Sequence, residues 1–272
     1  MTGSSNRRLA VFLHFHKAGG SSVVELARRN GERFHSPHVN GNPLDAHGKI
    51  HRPWDLSDRG LDAYVDTLLD EGVTFLATEW AVPTLEVLRG RPDVQVVTVI
   101  REPVARLVSN FRYDRAKGYT EHTDVLSFVD DHIALHTSTD YYTKMLLGRR
   151  WWEDAPREDQ LDAAEARLAH VDAVGVLEAP GWVEDICATL GWEPSAVSSN
   201  PHRASLPSRA KSAARYLGSG RLDLAARMFQ APPEVSAEQR AQLRERCALD
   251  LELYDRVARA RLGAAGTADA AA

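Results

Sequence analysis

Residues Leu9 to Ser22, LAVFLHFHKAGGSS, carry an unbroken apolar run straight into a lysine, two glycines and two hydroxyls. Leu9 to Leu13 has the length of a buried strand, and Ser22 to Arg28 reads as helix. The junction is therefore a strand-to-helix turn. Gly19 and Gly20 permit backbone angles and close approaches closed to other residues, and the first N–H groups of the helix point at whatever occupies the turn. Such a place favours an anion, commonly a phosphate. Lys17 adds a mobile cation, and Ser21 and Ser22 supply hydroxyls that cap the helix or bind ligand oxygens. Taken alone, the stretch serves equally as a capped turn with a surface lysine.

The rest of the chain supplies partners for that turn. Val94 to Ile100 is the strongest strand pattern, and Val73 to Ala77 and Ala173 to Leu177 are shorter ones. Helical patterns cover Leu56 to Glu71, opened by Ser57 or Asp58, a short piece from Pro83 to Arg89, and a longer one from Pro103. In that last helix Val104, Leu107, Val108 and Phe111 form the apolar face, Arg106, Asn110 and Arg112 point away from it, and Ser109 lies at the border. Further helices are expected at Val125 to Leu135, Tyr141 to Leu147, Glu158 to Ala169 and Trp182 to Leu190. Glu193 to Gly220 reads as loop with weak helix. One long helix from Ser236 to Leu262 opens on SAEQ, the form of a capping box.

Alternating strands and helices imply an α/β fold, a central parallel sheet flanked by helices in three layers. With 272 residues, 43% apolar, the chain is long enough for a single such domain. That domain is expected over 1–262, with 263–272 a disordered tail and 30–55 a long substrate-side loop. Ligands of such folds bind at the carboxyl ends of the strands. Lys17, Glu79 and Arg101 all follow strand ends, so all three should face one crevice.

Charge and composition narrow the function. A net charge of −5 argues against a general nucleic-acid or membrane binder. No apolar stretch approaches a membrane span, and too little chain precedes Leu9 for a signal peptide, so the cytoplasm is expected. The Ala- and Arg-rich usage looks like that of a high-GC bacterial genome, and a bacterial source is expected. Cys187 and Cys247 have no metal-site spacing and read as buried helix residues. His35, His38, His47 and His51 fall in the long loop without a tight ligand pattern, and no metal is expected.

An arginine directly after a buried strand, with a helical serine beyond it, is a second anion grip, Arg101 acting through its guanidinium and Ser109 through its hydroxyl. Two grips imply a ligand with two phosphate ends. The plainer alternative pairs Arg101 with Glu102 or a helix carboxylate. At these residues the chain resembles a family. HFHKAGGSS is similar to the 5′-phosphosulfate loop, and VTVIREPVARLVSNFRY (Val97 to Tyr113) to the 3′-phosphate motif, of sulfotransferases that use 3′-phosphoadenosine 5′-phosphosulfate (PAPS). The likeness is closer to the carbohydrate branch that includes heparan sulfate 2-O-sulfotransferases and bacterial relatives. DYYTKMLLG (Asp140 to Gly148), the run Val171 to Trp192 and DLELYDRV (Asp250 to Val257) are weaker echoes of the same family.

The resemblance implies a P-loop-like fold in which Lys17 contacts the 5′-phosphate and bridging oxygen. Ala18, Gly19, Gly20, Ser21 and Ser22 would surround the same group, and Arg101 and Ser109 would hold the 3′-phosphate. Asn200 and Arg203 fall where relatives have a cofactor-proximal loop, with Arg209, Lys211 and Arg215 nearby. The product would be adenosine 3′,5′-bisphosphate, and in-line sulfuryl transfer requires no metal.

A base is also needed near the acceptor proton. Many relatives end the second strand in Gly-His, whereas this chain has Thr78, Glu79 and Trp80. Glu79 is the expected base, on the argument that a partly apolar cleft raises a carboxylate's pKa. His16, which precedes Lys17, His14 on the same strand parity, and His51 are the other base candidates. Trp80, Trp151 and Trp152 offer stacking surfaces or packing. The acceptor expected is a small-molecule, glycolipid or carbohydrate hydroxyl, with specificity in Asn30 to Asp55 and Gly118 to Thr139. Two other functions stay open: a P-loop kinase or other nucleotide phosphotransferase, against which stands the lysine preceding the glycines rather than a terminal GK[ST], and a non-catalytic nucleotide-binding protein.

Overall fold

The structure, a computed structural model, describes residues 8–131, 134–148, 156–196 and 206–269, with only the backbone considered for 206–209, 212 and 260–269. Its centre is a four-stranded parallel sheet in the order β4-β1-β5-β6, built from β1 (Leu9–Leu13), β4 (Phe75–Thr78), β5 (Val94–Ile100) and β6 (Ala173–Val176). Side chains alternate across such a sheet. Leu9, Val11 and Leu13 accordingly enter one apolar cluster, and Ala10 and Phe12 enter another on the opposite face. The first cluster is covered by α2 (Asp58–Asp70), α3 (Leu85–Arg89), α6 (Tyr141–Leu147) and α7 (Arg157–Leu168). The second is covered by α1 (Gly20–Arg29) and α8 (Trp182–Leu190). This is the expected three-layer α/β architecture.

Register decides where the strands deliver their next residues. Leu13 aligns with Thr78 on one side and Thr98 on the other, so β1 and β4 end level, while β5 runs on to Ile100 opposite Val176. His14 to Lys17, Glu79 and Arg101 therefore emerge around one rim.

The 30–55 segment is more ordered than a plain loop. β2 (His38–Val39) and β3 (Asn42–Pro43) form an antiparallel hairpin, and Phe34 bridges in parallel to Phe75 at the sheet edge. The hairpin is tied to β4 by the Ala77 N–H donating to the Gly41 carbonyl (3.0 Å). Backbone groups at an open sheet edge need partners, and this segment supplies them.

Two helical expectations need correction. In α4 (Pro103–Lys117) Arg106 and Asn110 do not point away from the core: they are 1% and 0% exposed. Arg106 lies 4.1 Å from the Tyr141 ring centroid and donates to the carbonyls of His136 (3.1 Å) and Ser138 (3.4 Å), while Asn110 donates to the same His136 carbonyl (3.1 Å). A guanidinium that stacks on a ring and spends its donors on carbonyls tolerates burial. The second correction concerns the carboxyl-terminal helix, which is two helices, α11 (Ala237–Arg246) and α12 (Ala248–Asp269), broken at Cys247. The Ser236–Gln239 capping box is present. At the break the N–H groups of Leu249 and Asp250 donate to the Asp140 carboxylate at 3.0 and 3.1 Å, a side-chain cap that starts a new helix. The helix extends to Asp269, within the segment read as a tail.

The remaining helices are α5 (Val125–Asp130), shorter than expected and followed by a 3-10 turn at Leu135–Thr137, α9 (Leu206–Gly218) and α10 (Leu222–Arg227). Cys187 in α8 and Cys247 at the break are both buried. No helix among the described residues is long and apolar enough to cross a membrane.

Candidate anion-binding and proton-transfer cleft

The turn after β1 is built to leave its N–H groups available. Gly19 is the N-cap of α1 in the left-handed region (φ 92°), a position that strains any residue with a Cβ, and it offers no side chain to cap the helix. Gly20 is glycine for another reason: a Cβ there would lie 1.8 Å from Nε2 of the buried His14 ring. Ala18 and Ser22 are buried and Ser21 is exposed beside the helix start. The serines do not cap α1; the Ser22 N–H donates to the Gly19 carbonyl (2.9 Å).

Lys17 also adopts a left-handed backbone (φ 64°), uncommon for a residue with a side chain. Its Nζ sits 4.1 Å from the ring centroid of Tyr113 in α4. Burial, and then the charge of Arg101, lower its pKa to about 8, against the opposing pull of Asp114 and Glu79. Arg101 stands beside it and donates to the Lys17 carbonyl (3.4 Å). Its buried Nε–H has no hydrogen-bond acceptor among the described residues; the Glu178 carboxylate stands 3.7 Å away, and Glu102 caps α4 instead. A cleft that gathers two cations and the start of a helix has the electrostatic character that suits an anion.

Ser109 is half-buried on α4, three residues after Arg106 and four before Tyr113, the spacing of one helix face. No described contact joins it to Arg101.

Two tyrosines of α6 fix the rim. The His16 N–H donates to the Tyr141 hydroxyl (3.0 Å). The Arg101 N–H donates to the Tyr142 hydroxyl (2.8 Å), which donates back to the Arg101 carbonyl (2.9 Å). α6 is itself held by Asp250 of α12, whose carboxylate accepts the N–H groups of Tyr142 (2.8 Å) and Thr143 (2.9 Å) and the Thr143 hydroxyl (2.9 Å). Asp140 caps α12 and Asp250 caps α6, a reciprocal exchange across the chain.

Glu79 meets histidines here. Its Oε1 lies 2.9 Å from His16 Nδ1 and its Oε2 lies 3.7 Å from His14 Nδ1. Its own N–H donates to the side chain of Asn42 (2.8 Å), so the 30–55 hairpin positions it. The expected upward pKa shift is reversed. Burial pushes the carboxyl up, but the charge of His14, the hydrogen bond from His16 and the charges of His16 and His136 together hold it below the usual range. An ionised carboxylate only accepts, so His16 Nδ1 carries the proton of that bond and Nε2 is left as the basic nitrogen. His16 Nε2 is buried with no hydrogen-bond partner among the described residues. Burial lowers the pKa of His14 against the opposing pull of the Glu79 carboxylate, and its ring stacks on Phe12.

His136 and Asp114 complete the cleft, the rings of His16 and His136 lying 4.8 Å apart and His136 Nε2 lying 3.7 Å from Asp114 Oδ2. Neither is singled out by sequence pattern, and neither are Tyr113, Tyr141 and Tyr142 as site residues, although SNFRY and DYY belong to the motifs quoted above. His51 is not in the cleft; it packs on Tyr64 (4.4 Å between ring centroids). Trp80, beside Glu79, is 49% exposed rather than buried. Lys211 and Arg215 are exposed on α9. Trp151, Trp152, Asn200 and Arg203 lie outside the described residues, as does the side chain of Arg209.

No protein-family model and no curated protein matches the chain. Among solved structures it is similar to a sulfotransferase from Alicyclobacillus acidocaldarius, at 15% identity over 83% of this chain and 97% of that one, with a TM-score of 0.39. The chemical reading of the cleft rests on its own residues.

Proposed function

We propose that the chain is a sulfotransferase that moves the sulfuryl group of PAPS to a hydroxyl of a small-molecule, glycolipid or carbohydrate acceptor. The observation that carries the reading is the juxtaposition, on one rim, of an anion cradle and a carboxylate-oriented histidine. Bound PAPS would supply an activated sulfuryl group on a phosphate leaving group. Lys17 and the opening N–H groups of α1 hold the 5′-phosphate and stabilise the charge that gathers on it as the bond breaks. Arg101 and Ser109 hold the 3′-phosphate end.

His16 is the base in this reading. Glu79 keeps its Nδ1–H in place, and Nε2 takes the proton of the acceptor hydroxyl. Glu79 thus orients and polarises the ring rather than receiving the proton itself, in the arrangement that makes a histidine a directed base. The cleft also differs from a nucleoside triphosphate site, since the lysine precedes the glycines.

Calorimetry with adenosine 3′,5′-bisphosphate and, separately, ATP with magnesium tests the cofactor. Tight bisphosphate binding with weak ATP binding is expected, and the reverse preference would overturn the reading in favour of a phosphotransferase. A radiolabelled-PAPS assay against panels of phenols, sterols and oligosaccharides tests transfer. Binding without transfer to any acceptor would instead leave a nucleotide-binding protein.

A further inference from the structure

The base candidate belongs to a second constellation. One donor atom each from His16, His136 and Asp114 lies within 4.8 Å of those of the other two, on three elements that are separately anchored. His16 hangs from the Tyr141 hydroxyl, the His136 carbonyl is gripped by Arg106 and Asn110, and the Asp114 side chain is buried on α4. We propose that these three side chains form an open binding site for a divalent transition-metal ion of the zinc type.

Three features beyond proximity point to an ion. Two imidazoles and one carboxylate are the donor set of three-coordinate protein sites that keep a position open. Metal-binding histidines ordinarily donate their other ring N–H to a carboxylate, which fixes the tautomer and raises the basicity of the ligating nitrogen. His16 has that partner in Glu79, at 2.9 Å on Nδ1. The nitrogen left to ligate, Nε2, is buried and has no hydrogen-bond partner among the described residues. Donor atoms bound to zinc at about 2.0–2.2 Å sit a little over 3 Å from one another; His136 Nε2 and Asp114 Oδ2 already stand 3.7 Å apart, and the His136 side chain is 35% exposed. Asp114 and Glu79 favour a cation here, whereas Lys17, Lys117 and Arg106 oppose one, so the site suits an ion held by strong donors rather than magnesium or calcium, which require several oxygens.

The ion and the acceptor proton would compete for the same nitrogen. Zinc is thus an inhibitor of transfer, a corollary that rests on His16 being the base; the binding site itself does not.

The test uses the full chain after chelator treatment and dialysis, titrated with zinc in a calorimeter and with cobalt in an absorption spectrometer. One equivalent is expected, with a Kd of about 10 µM or tighter. His136→Ala and Asp114→Asn should each weaken binding at least tenfold, and His122→Ala, which removes a half-buried histidine paired with Asp131, should leave it unchanged. X-ray absorption at the zinc edge should show nitrogen and oxygen neighbours, two of them imidazoles, and no sulfur. Absence of saturable binding at about 100 µM zinc, far above that Kd, would overturn the site in the wild-type chain alone. So would affinity unchanged by His136→Ala, or a sulfur neighbour. Zinc that binds as expected yet leaves transfer undiminished would overturn the role of His16 as base and leave the site standing.

Discussion

Lys17 makes the cradle pH-sensitive in a way that can be worked out beforehand. Its pKa of about 8 in the free protein comes from burial and from Arg101. A dianionic phosphate seated beside it favours the charged form, so the pKa rises on binding and a proton is taken up. The phosphate groups of the bisphosphate are fully ionised above about pH 7.5, their second pKa being about 6. From there to pH 9.5 the charged fraction of Lys17 in the free protein falls from roughly three quarters to roughly one in thirty. Affinity for adenosine 3′,5′-bisphosphate should fall with it, by about 20- to 30-fold, close to 2 kcal/mol. Calorimetry at half-unit intervals in buffers of differing ionisation heat reads both quantities, and about half a proton should be taken up at pH 8. In Lys17→Arg the charge persists throughout, and the decline should shrink to about twofold or less. A wild-type affinity that is flat across the window, or an equal decline in Lys17→Arg, would refute the argument.

Other outcomes follow from the same contacts. Arg101→Ala should weaken bisphosphate binding by about 2 kcal/mol by removing a charge-assisted grip, measured by calorimetry at pH 7.5; an unchanged Kd would show that the guanidinium serves only the Lys17 carbonyl and Glu178. His16→Ala should lower kcat by at least about 100-fold with bisphosphate affinity nearly intact, and Glu79→Gln should retain more activity than His16→Ala, because it leaves the ring and changes only its orientation and polarisation. Greater loss in Glu79→Gln than in His16→Ala would return the proton to the carboxylate. Asp250→Ala should destabilise the fold by about 3 kcal/mol in urea denaturation, since it strands the buried N–H groups of Tyr142 and Thr143.

What sequence pattern conveyed, and what it missed, divides along sequence separation. Strand β1, strand β5 and the turn between β1 and α1 are written in contiguous residues, so Lys17 and Arg101 could be placed at a common rim from strand ends alone. Glu79 could be placed there too, but not its environment. The histidines that hold its carboxylate ionised come from another strand end and from the turn around His136. Arg106 was assigned to the outer face because charge is the outward sign in a helical pattern; ring faces and carbonyls contributed by the turn at 135–138 and by α6 reverse it. Likewise nothing periodic marks Cys247 as a break, because the cap that restarts the helix there belongs to Asp140, over a hundred residues earlier. The resemblance in DYY and DLELY had no physical meaning until these aspartates were seen capping each other's helices.

That exchange of caps has a consequence for how the chain becomes competent. Tyr141 and Tyr142 hold the backbone at His16 and Arg101, and they are presented by a helix whose opening N–H groups donate to Asp250. The rim therefore gains this brace only when α12 has docked against α6. A chain interrupted before Asp250 would carry Lys17, Glu79 and Arg101 and still lack the brace under the two tyrosines that hold the backbone at His16 and Arg101.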